Sequence, residues 1–221
     1  MCEITETGNR ETDAAGRIFP LSDRIYFFMH EHLEESLNKK VSLTTAEWES
    51  VKSFFIPKKL RKRQYVVNAG DVCQYFCFVE KGLLRSFSVD KNGNEHVVQF
   101  ALEGWWISDM GSFLSGDSAV YNIEALENAE LLLLTRQSMD DMLIQVPKME
   151  RYFRLLMQQN MVVLQRRILG TLSLSAEEKY RRMMLLYPDI LQRSPQQYVA
   201  SFLGITPETL SRVRKQVSTV K

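Results

Sequence analysis

Hydrophobic and polar positions follow a helical period at both ends of the chain and change to short apolar runs in the middle. From Ser22 to about Lys39, apolar residues recur at helical intervals, which predicts an amphipathic helix. Thr44 and Glu47 have the spacing of a capping box and predict that a second, short helix begins there. Residues 1–17 are polar and show no period, so we expect them to form a disordered tail.

Between Pro57 and Leu134, short runs rich in β-branched and aromatic residues are separated by turn signals. Asn92-Gly93 is a strong hairpin signal, because Gly and Asn tolerate positive φ. The predicted strands are Gln64–Val67, Tyr75–Glu80, Leu83–Asp90, Glu95–Ala101, Tyr121–Leu126 and the buried run Leu131–Leu134. Short strands at this spacing predict an antiparallel β sandwich, roll or barrel.

Pro147 opens the longest helical stretch, which we expect to end near Leu172. One apolar stripe consists of Met149, Phe153, Leu156 and Val163. A second stripe follows the rhythm of a coiled-coil seam and consists of Met157, Met161, Leu164 and Ile168. Two stripes predict that the helix packs on its own domain with the first and on a partner with the second, which would be a dimer interface. A central helix buried in a monomer is the alternative.

The C-terminal segment carries the signals of a helix-turn-helix. Capping-box spacings at 175–178 and 194–197 predict that two helices begin there. Gly204 permits a sharp turn, after which Thr206 caps the next helix and Pro207 occupies its first position. Two helices joined by a short turn that contains Gly form a helix-turn-helix.

The second helix of this motif presents a polar face opposite its apolar stripe, formed by Glu208, Ser211, Arg212 and Lys215. These side chains suit a DNA major groove, because Arg can bind guanine bidentately, Glu can accept from cytosine and Ser is adaptable. Predicted phosphate contacts, which position a protein without reading sequence, are Ser201, Thr206, Arg214 and Lys215. A solvated helical hairpin with incidental charges is the alternative.

The composition is that of an ordinary globular chain, with 45% hydrophobic and 25% charged residues. The net charge of +1 argues against a polyanionic partner, but the charges are divided along the chain. Residues 1–146 carry 15 basic and 22 acidic side chains (net −7), whereas residues 147–221 carry 13 and 5 (net +8). This asymmetry indicates an acidic module joined to a basic one.

Several functional classes are excluded at this point. No apolar run approaches the roughly 20 residues that cross a bilayer, so we expect a cytoplasmic protein without membrane contact. Cys2, Cys73 and Cys77 are too few for a disulfide framework or for an iron–sulfur cluster, so ordinary buried thiols are the better interpretation. The chain has no zinc-type spacing, Gly-rich phosphate loop or nucleophile elbow, so we predict no enzyme, metal site or cofactor.

The segment VASFLGITPETLSR, residues 199–212, closely resembles the recognition motif of the Crp/Fnr family of bacterial transcription regulators, and the order of elements is also that of the family. The resemblance implies an α+β fold with an antiparallel, jelly-roll-like β-roll sensor domain (18–146), a dimerisation helix (147–172) and a helix-turn-helix DNA-binding domain (173–221). It further implies a homodimer on double-stranded DNA with an inverted repeat, and RNA polymerase as a further partner.

By the same resemblance, Glu208, Ser211 and Arg212 correspond to the Fnr-type base-reading triplet, which implies a TTGA-like half-site. Glu208 and Arg212 would contact the G·C pair and Ser211 a neighbouring thymine. Pro207 departs from the pattern, because many members carry Arg at this position.

The phosphate-binding cassette of the family aligns with residues 108–125. It defines an effector pocket formed by Ser108, Asp109, Met110, Gly111, Ala119 and Val120. Asp109 would be the acidic ribose ligand, but Ala119 and Val120 stand where cyclic-AMP-binding members carry Arg and Ser or Thr. A buried cyclic phosphate would then lack a cation and a hydroxyl donor, which disfavours cyclic AMP. We therefore expect an unidentified small-molecule effector in the β-roll.

Three interpretations stay open. The first is the regulator just described, and the second is a constitutive DNA-binding dimer whose sensor domain has lost its ligand. The third is a cyclic-nucleotide signalling subunit that does not bind DNA. Four aromatic residues of the sensor, Trp105, Trp106, Phe113 and Tyr121, would line an apolar pocket or, as the favoured alternative, pack in the core and at its rim.

Overall fold

The computed structural model describes residues 30–219. The strands are β1 (Ile56–Leu60), β2 (Tyr65–Val67), β3 (Tyr75–Lys81), β4 (Leu84–Val89), β5 (Glu95–Ala101), β6 (Trp106–Ile107), β7 (Asn122–Ala125) and β8 (Ala129–Thr135). The helices are α1 (Glu31–Asn38), α2 (Thr45–Ser53), α3 (Met110–Ser115), α4 (Arg136–Gln145), α5 (Lys148–Ser173), α6 (Ala176–Leu186), α7 (Pro188–Arg193), α8 (Gln196–Leu203) and α9 (Pro207–Thr219). The predicted tail and the first part of the helix from Ser22 lie outside the described residues.

The strands form two four-stranded antiparallel sheets, with the orders β1-β8-β3-β6 and β2-β7-β4-β5. Apolar side chains of both sheets, among them Phe78, Leu84, Ile123 and Leu132, are buried in one core. This arrangement confirms the antiparallel β-roll and the α+β class. The apolar run 131–134 lies within β8, between β1 and β3.

All six predicted strands are present, with ends displaced by at most two residues. The sequence analysis missed β1 and β6. β1 contains Pro57 and two lysines, which are poor strand formers, and β6 is only two residues long. It also missed α3, α4 and α7, which are short or carry a weak apolar period.

The second sheet is apolar on both faces. Leu84 of β4 lies in the core of the β-roll, whereas Leu83 and Phe87 belong to a second cluster on the opposite side. Val97 and Phe100 of β5 join this second cluster. Its other members come from the C-terminal helices and are Tyr180, Met183, Ile190, Val199, Ala200, Leu203, Leu210 and Val213. The outer face of the sheet is therefore a docking surface for residues 176–217.

The long helix α5 changes environment along its length. Its N-terminal half is anchored in the core of the β-roll by Met149, Tyr152 and Phe153, which are buried. Of the four residues predicted as a dimer seam, Met157 is half-buried against this core. The other three are exposed in the single chain: Met161 (59%), Leu164 (52%) and Ile168 (61%).

Two of the predicted capping boxes are present and one is wrong. Thr44 with Glu47 caps α2, and Ser175 with Glu178 caps α6, each with reciprocal hydrogen bonds. Ser194 does not cap α8, whose N-cap is Pro195 without a side-chain hydrogen bond. The amide of Ser194 instead donates to the carbonyl of Ile190, because Ser194 ends the helix α7.

Within residues 30–219 no helix is both long and apolar enough to span a bilayer.

A buried carboxylate attaches α1 to the β-roll. The side chain of Glu80 on β3 is 5% exposed and accepts hydrogen bonds from the amides of His32 (3.1 Å) and Leu33 (2.8 Å). Burial raises the pKa of Glu80 to about 7, although the two amides oppose this shift. The carboxyl is therefore more easily protonated in the folded chain than in the unfolded chain.

This raised pKa predicts a loss of stability as pH rises. Protonated Glu80 favours the folded state, so its contribution is complete below about pH 4.5 and is lost as pH rises through about 7. In the wild type, the free energy of unfolding should fall by at most roughly 3 kcal/mol over this pH range. In E80Q, which has no titrating carboxyl at this position, we expect this decrease to be absent. Urea unfolding of both chains from pH 4.5 to 8 measures the difference. E34Q, at an exposed site on α1, is the control, and parallel curves for wild type and E80Q would contradict the assignment.

Candidate nucleic-acid interface

The helix-turn-helix forms through local interactions of its turn. Gly204 ends α8 in the left-handed region, with φ of +66°, which a side chain would disfavour. The amide of Ile205 donates to the carbonyl of Ala200 at 3.0 Å, which closes the turn. The hydroxyl of Thr206 accepts from the amide of Thr209 at 3.2 Å, so Thr206 caps α9 as predicted.

The two faces of α9 are separated as the sequence predicts. Leu210 and Val213 are buried in the cluster that also contains Val199 and Leu203 of α8. Four side chains are exposed on the remaining face: Glu208, Ser211, Arg212 and Lys215. Glu208 accepts from its own amide and from Thr206 and lies near Arg212, and these interactions lower its pKa. Its carboxylate is therefore ionised and able to accept hydrogen bonds.

The residues predicted as phosphate contacts have different surroundings. Thr206, Arg214 and Lys215 are exposed. The hydroxyl of Ser201, in contrast, donates to the carbonyl of Glu95 at 2.8 Å and accepts from the amide of Val97 at 2.9 Å. In this arrangement the Ser201 hydroxyl is occupied within the chain.

Ser201 pairs with backbone groups of β5, which is the edge strand of its sheet. The guanidinium of Arg167 on α5 donates to the carbonyls of Val97 and Val98 and lies 4.2 Å from the ring centroid of Phe202. An unpaired strand edge is exposed to unwanted pairing, and both side chains satisfy its backbone groups. The first helix of the motif is thus held against the edge of the β-roll.

Arg85 is the buried centre of this docking surface and is 1% exposed. Its guanidinium donates two hydrogen bonds to Glu124 at 2.9 and 2.6 Å and forms an ion pair with Glu95. It also lies between two rings, 3.9 Å from the centroid of Phe87 and 3.6 Å from that of Tyr198. A buried cation requires such compensation, and Tyr198 of α8 supplies part of it.

A second ion-pair group lies at the other end of the docking surface. Arg193, at the end of α7, donates to Glu103 at 2.9 and 2.7 Å and also to Glu127. Burial alone would raise the pKa of Glu103, but Arg193 and two backbone amides lower it to about 2. Glu103 is therefore ionised throughout the physiological range of pH.

The sequence analysis missed these interdomain residues. A signal was present, because Arg85 and Glu124 are charged residues inside strands whose other residues are uncharged. Two opposite charges at such positions indicate a buried pair. Their contact with Tyr198 was not predictable, since 113 positions along the chain separate Arg85 from that ring.

The phosphate-binding cassette is closed by one of its own side chains. Asp109 is 3% exposed, and one carboxylate oxygen accepts from the amides of Val120 (2.8 Å) and Tyr121 (3.1 Å). The other oxygen accepts from the amide of Ser112 and caps α3. The predicted role of Asp109 as a ribose ligand does not fit this structure, because both oxygens are committed to the backbone.

The other residues of the expected effector pocket do not converge on an open site. Ser108 donates to the carbonyl of Tyr75 at 3.0 Å. The backbone of Ala119 pairs with Gly70 and Asp71, its side chain is buried and the side chain of Val120 is 65% exposed. Met110 is half-buried and Gly111 is exposed.

The four aromatic residues considered for an apolar pocket lie in the core of the β-roll or at its rim, as the favoured alternative predicts. Trp106 is buried, stacks on Phe76 at 4.3 Å between centroids and donates to the hydroxyl of Tyr152 at 2.9 Å. Phe113 is buried in the same core, and Trp105 is half-buried against Tyr187. Tyr121 is half-buried.

Cys73 and Cys77 are free and buried, as expected of ordinary thiols. Burial raises the pKa of Cys77, which keeps this thiol protonated. Within residues 30–219, no cluster of three or more His, Cys, Asp or Glu side chains has an arrangement that could hold a metal ion.

Comparison with known proteins relates this architecture to a known family. The family described as "Cyclic nucleotide-binding domain" matches residues 57–145, which cover the β-roll and α4. The chain is 26% identical over 169 residues to the fumarate and nitrate reduction regulatory protein of Vibrio cholerae, a match over 71% of this chain and 66% of that protein. The chain resembles transcription regulators of the Crp/Fnr family.

The match spans about two thirds of the length of that relative. Two solved structures have the same fold as this chain. FixK2 of Bradyrhizobium japonicum has a TM-score of 0.64 at 19% identity and covers 75% of this chain and 85% of its own. The global regulator CLP of Xanthomonas campestris has a TM-score of 0.62 at 16% identity and covers 80% and 92%, respectively.

The contacts of Ser201 predict a local change in backbone protection. In S201A, the amide of Val97 loses its acceptor, so we expect its hydrogen exchange to accelerate while the amides of β7, paired on both sides, keep their protection. Hydrogen exchange followed by NMR measures this residue by residue. The control is S211A, at an exposed serine of α9. Unchanged protection of Val97 in S201A would mean that α8 does not dock on β5 in solution.

Proposed function

We propose that this protein is a sequence-specific DNA-binding transcription regulator of the Crp/Fnr type that acts as a homodimer on an inverted-repeat operator. The observation that carries the proposal is the exposed polar face of α9, formed by Glu208, Ser211, Arg212 and Lys215 on a capped helix-turn-helix. Major-groove recognition uses this arrangement, with an Arg that binds guanine and a Glu that accepts from cytosine. The C-terminal charge of net +8 over residues 147–221 supports attraction to phosphates.

A homodimer is supported by the C-terminal half of α5. Met161, Leu164 and Ile168 are each more than half exposed and share one stripe of the helix. Covering this stripe with the same stripe of a second copy would bury apolar surface and relate two α9 helices by a twofold axis. Two α9 helices related by this axis require two half-sites about one turn of DNA apart.

Control of DNA binding would pass through the docking surface. Arg85, Arg193 and Ser201 connect the β-roll to α7 and α8, and α8 carries α9. A change in the β-roll at these contacts would alter the orientation of both recognition helices. In the proposed function this docking surface transmits the change to α9.

A second candidate function is a constitutive DNA-binding dimer without a sensor ligand in the cassette. Asp109 favours it, because its carboxylate already accepts from the amides of Val120 and Tyr121. In that case the β-roll would be a scaffold or a surface for RNA polymerase. A signalling subunit without DNA contact has no comparable observation in its favour.

Substitutions on α9 separate base reading from phosphate contact. R212A is expected to weaken binding to the specific site by about 1–3 kcal/mol and to relax the preference at one base pair. K215A is expected to weaken binding to all duplexes similarly and to reduce the salt slope by about 1. Selection of bound sites from random duplex DNA, followed by mobility shifts at several salt concentrations, measures both effects.

The matched control is R154Q, an exposed arginine of α5 far from α9 in sequence, which should leave site preference and salt slope unchanged. Equal losses for R212A and K215A on all sequences would remove the base-reading role of Arg212. Failure of the wild-type chain to select any duplex would reject the proposed function itself.

The closed cassette predicts that cyclic AMP does not bind there. Its phosphate would meet the side chain of Asp109, which already accepts hydrogen bonds from the amides that would otherwise donate to an anion. We expect the melting temperature to stay constant over a wide range of cyclic AMP concentrations, with 5′-AMP as the comparison nucleotide. A melting temperature that rises with cyclic AMP concentration, and not with 5′-AMP, would contradict this assignment.

A further inference from the structure

A cleft of about 240 Å³ opens between the C-terminal half of α5, the helix α6 and the first helix of the DNA-binding motif. Met183, Phe202 and Leu203 contribute apolar surface to it. A dry cavity of about 150 Å³ accommodates a benzene ring, so this space is sufficient for a two-ring aromatic group or a short acyl chain.

The charged side chains that line the cleft are all cationic. Four cationic side chains line it, Arg166, Arg167, Lys179 and Arg182, and its described lining contains no carboxylate. None of the four forms an ion pair with a carboxylate of residues 30–219, whereas Arg181, next to one of them, pairs with Glu177 at 2.8 Å. Several cations without counter-charges beside an apolar surface favour binding of an anion.

Arg167 adds a partly buried positive charge to this environment. Its guanidinium donates to two carbonyls of β5 and stacks on Phe202. Burial lowers the pKa of Arg167, because these neutral partners do not replace a carboxylate. An anion in the cleft would supply the missing negative charge.

The backbone of α5 provides room for Arg182 to reach across the cleft. Gly170 is buried, and a Cβ added there would lie 3.4 Å from Leu174 and 3.9 Å from the guanidinium of Arg182. Arg182 belongs to α6, and its guanidinium extends toward the opposite wall, which α5 forms. It is therefore placed to donate hydrogen bonds to a group bound between the two helices.

The cleft is separate from the proposed dimer seam. At 3.6 residues per turn, the cleft-lining residues Val163, Arg167 and Gly170 lie about a third of a turn from the stripe of Met161, Leu164 and Ile168. They continue the stripe that is buried at Met149 and Phe153, at the point where α5 leaves the β-roll. A second copy on the seam would leave this face of α5 accessible.

We propose that this cleft binds an amphipathic organic anion, with an aromatic or short acyl body and one carboxylate, sulfonate or phosphate group. The apolar body would contact Met183, Phe202 and Leu203, and the anionic group would accept hydrogen bonds from Arg182 and Arg166. Because the cleft joins α5 to the helix that carries α9, the bound anion would also act as an effector, a role that rests on the proposed function.

The binding site is tested with 8-anilinonaphthalene-1-sulfonate as an anionic aromatic probe and N-phenyl-1-naphthylamine as its neutral counterpart. Fluorescence titration of the full chain should show one anionic probe bound per chain. In R182Q the affinity for the anionic probe should fall roughly tenfold, the loss expected for a hydrogen bond to a charged group. The affinity for the neutral probe should not change.

R181Q is the matched control, one position away on the same exposed helix surface, and should leave both affinities unchanged. R166Q is a second test on the opposite wall and should weaken the anionic probe alone. Equal affinities of R182Q, R166Q and R181Q for the anionic probe would overturn the site. A lower affinity of R182Q for the neutral probe would also overturn it, because that result would indicate a general disturbance of the apolar surface.

The effector role has a separate readout. Saturating anionic probe should change the affinity of the wild-type chain, but not of R182Q, for its selected duplex, since coupling between two sites is reciprocal. An unchanged duplex affinity in the wild-type chain would overturn the effector role and leave the site intact. If no duplex binds with or without probe, the proposed function fails, while the fluorescence titration still decides the anion site.

Discussion

The buried guanidinium of Arg85 is the interaction on which the arrangement of the two halves depends. Removing a cation from water costs several kcal/mol unless charge and hydrogen bonds replace the solvent. Glu124 and Glu95 supply the charge from neighbouring strands, but the outer side of the guanidinium is covered only when Tyr198 of α8 lies on it. The apolar residues around it, such as Phe87, are buried by the same docking. Docking of the helix-turn-helix therefore covers a charged group and apolar side chains on the outer face of the β-roll.

The docking of α8 on the β-roll also connects the β-roll to α9. Ser201 and Arg167 satisfy the open edge of β5, so α8 has a fixed position on the sheet. The turn at Gly204 and the cap at Thr206 then fix α9 relative to α8. Under the proposed function, a small shift at the strand edge would be passed to α9, because packed interfaces move between discrete arrangements and do not deform continuously. Ser201 is informative here, since its hydroxyl serves the strand edge in this state and would be available to a phosphate only after α8 leaves it.

Much of the fold could be predicted from local patterns. The strands, the long helix and the two capping boxes at Thr44 and Ser175 depend on neighbours within a few positions, and the sequence contains those neighbours. The error at Ser194 has a physical cause, because the same spacing occurs where a helix ends, and only the hydrogen bond to Ile190 distinguishes the two cases. The pairing of Arg85 with Tyr198 depends on tertiary packing and leaves no periodic signal.

The cassette shows why alignment with a binding motif does not define a binding site. Asp109 aligns with an acidic ribose ligand, yet a side chain one methylene shorter than Glu lies close enough to its own backbone to accept from Val120 and Tyr121. The side chain thereby accepts the hydrogen bonds that those amides would otherwise donate to a phosphate. Under the proposed function a signal would act elsewhere, and the basic cleft beside α5 provides the uncompensated positive charge that an anionic signal would require.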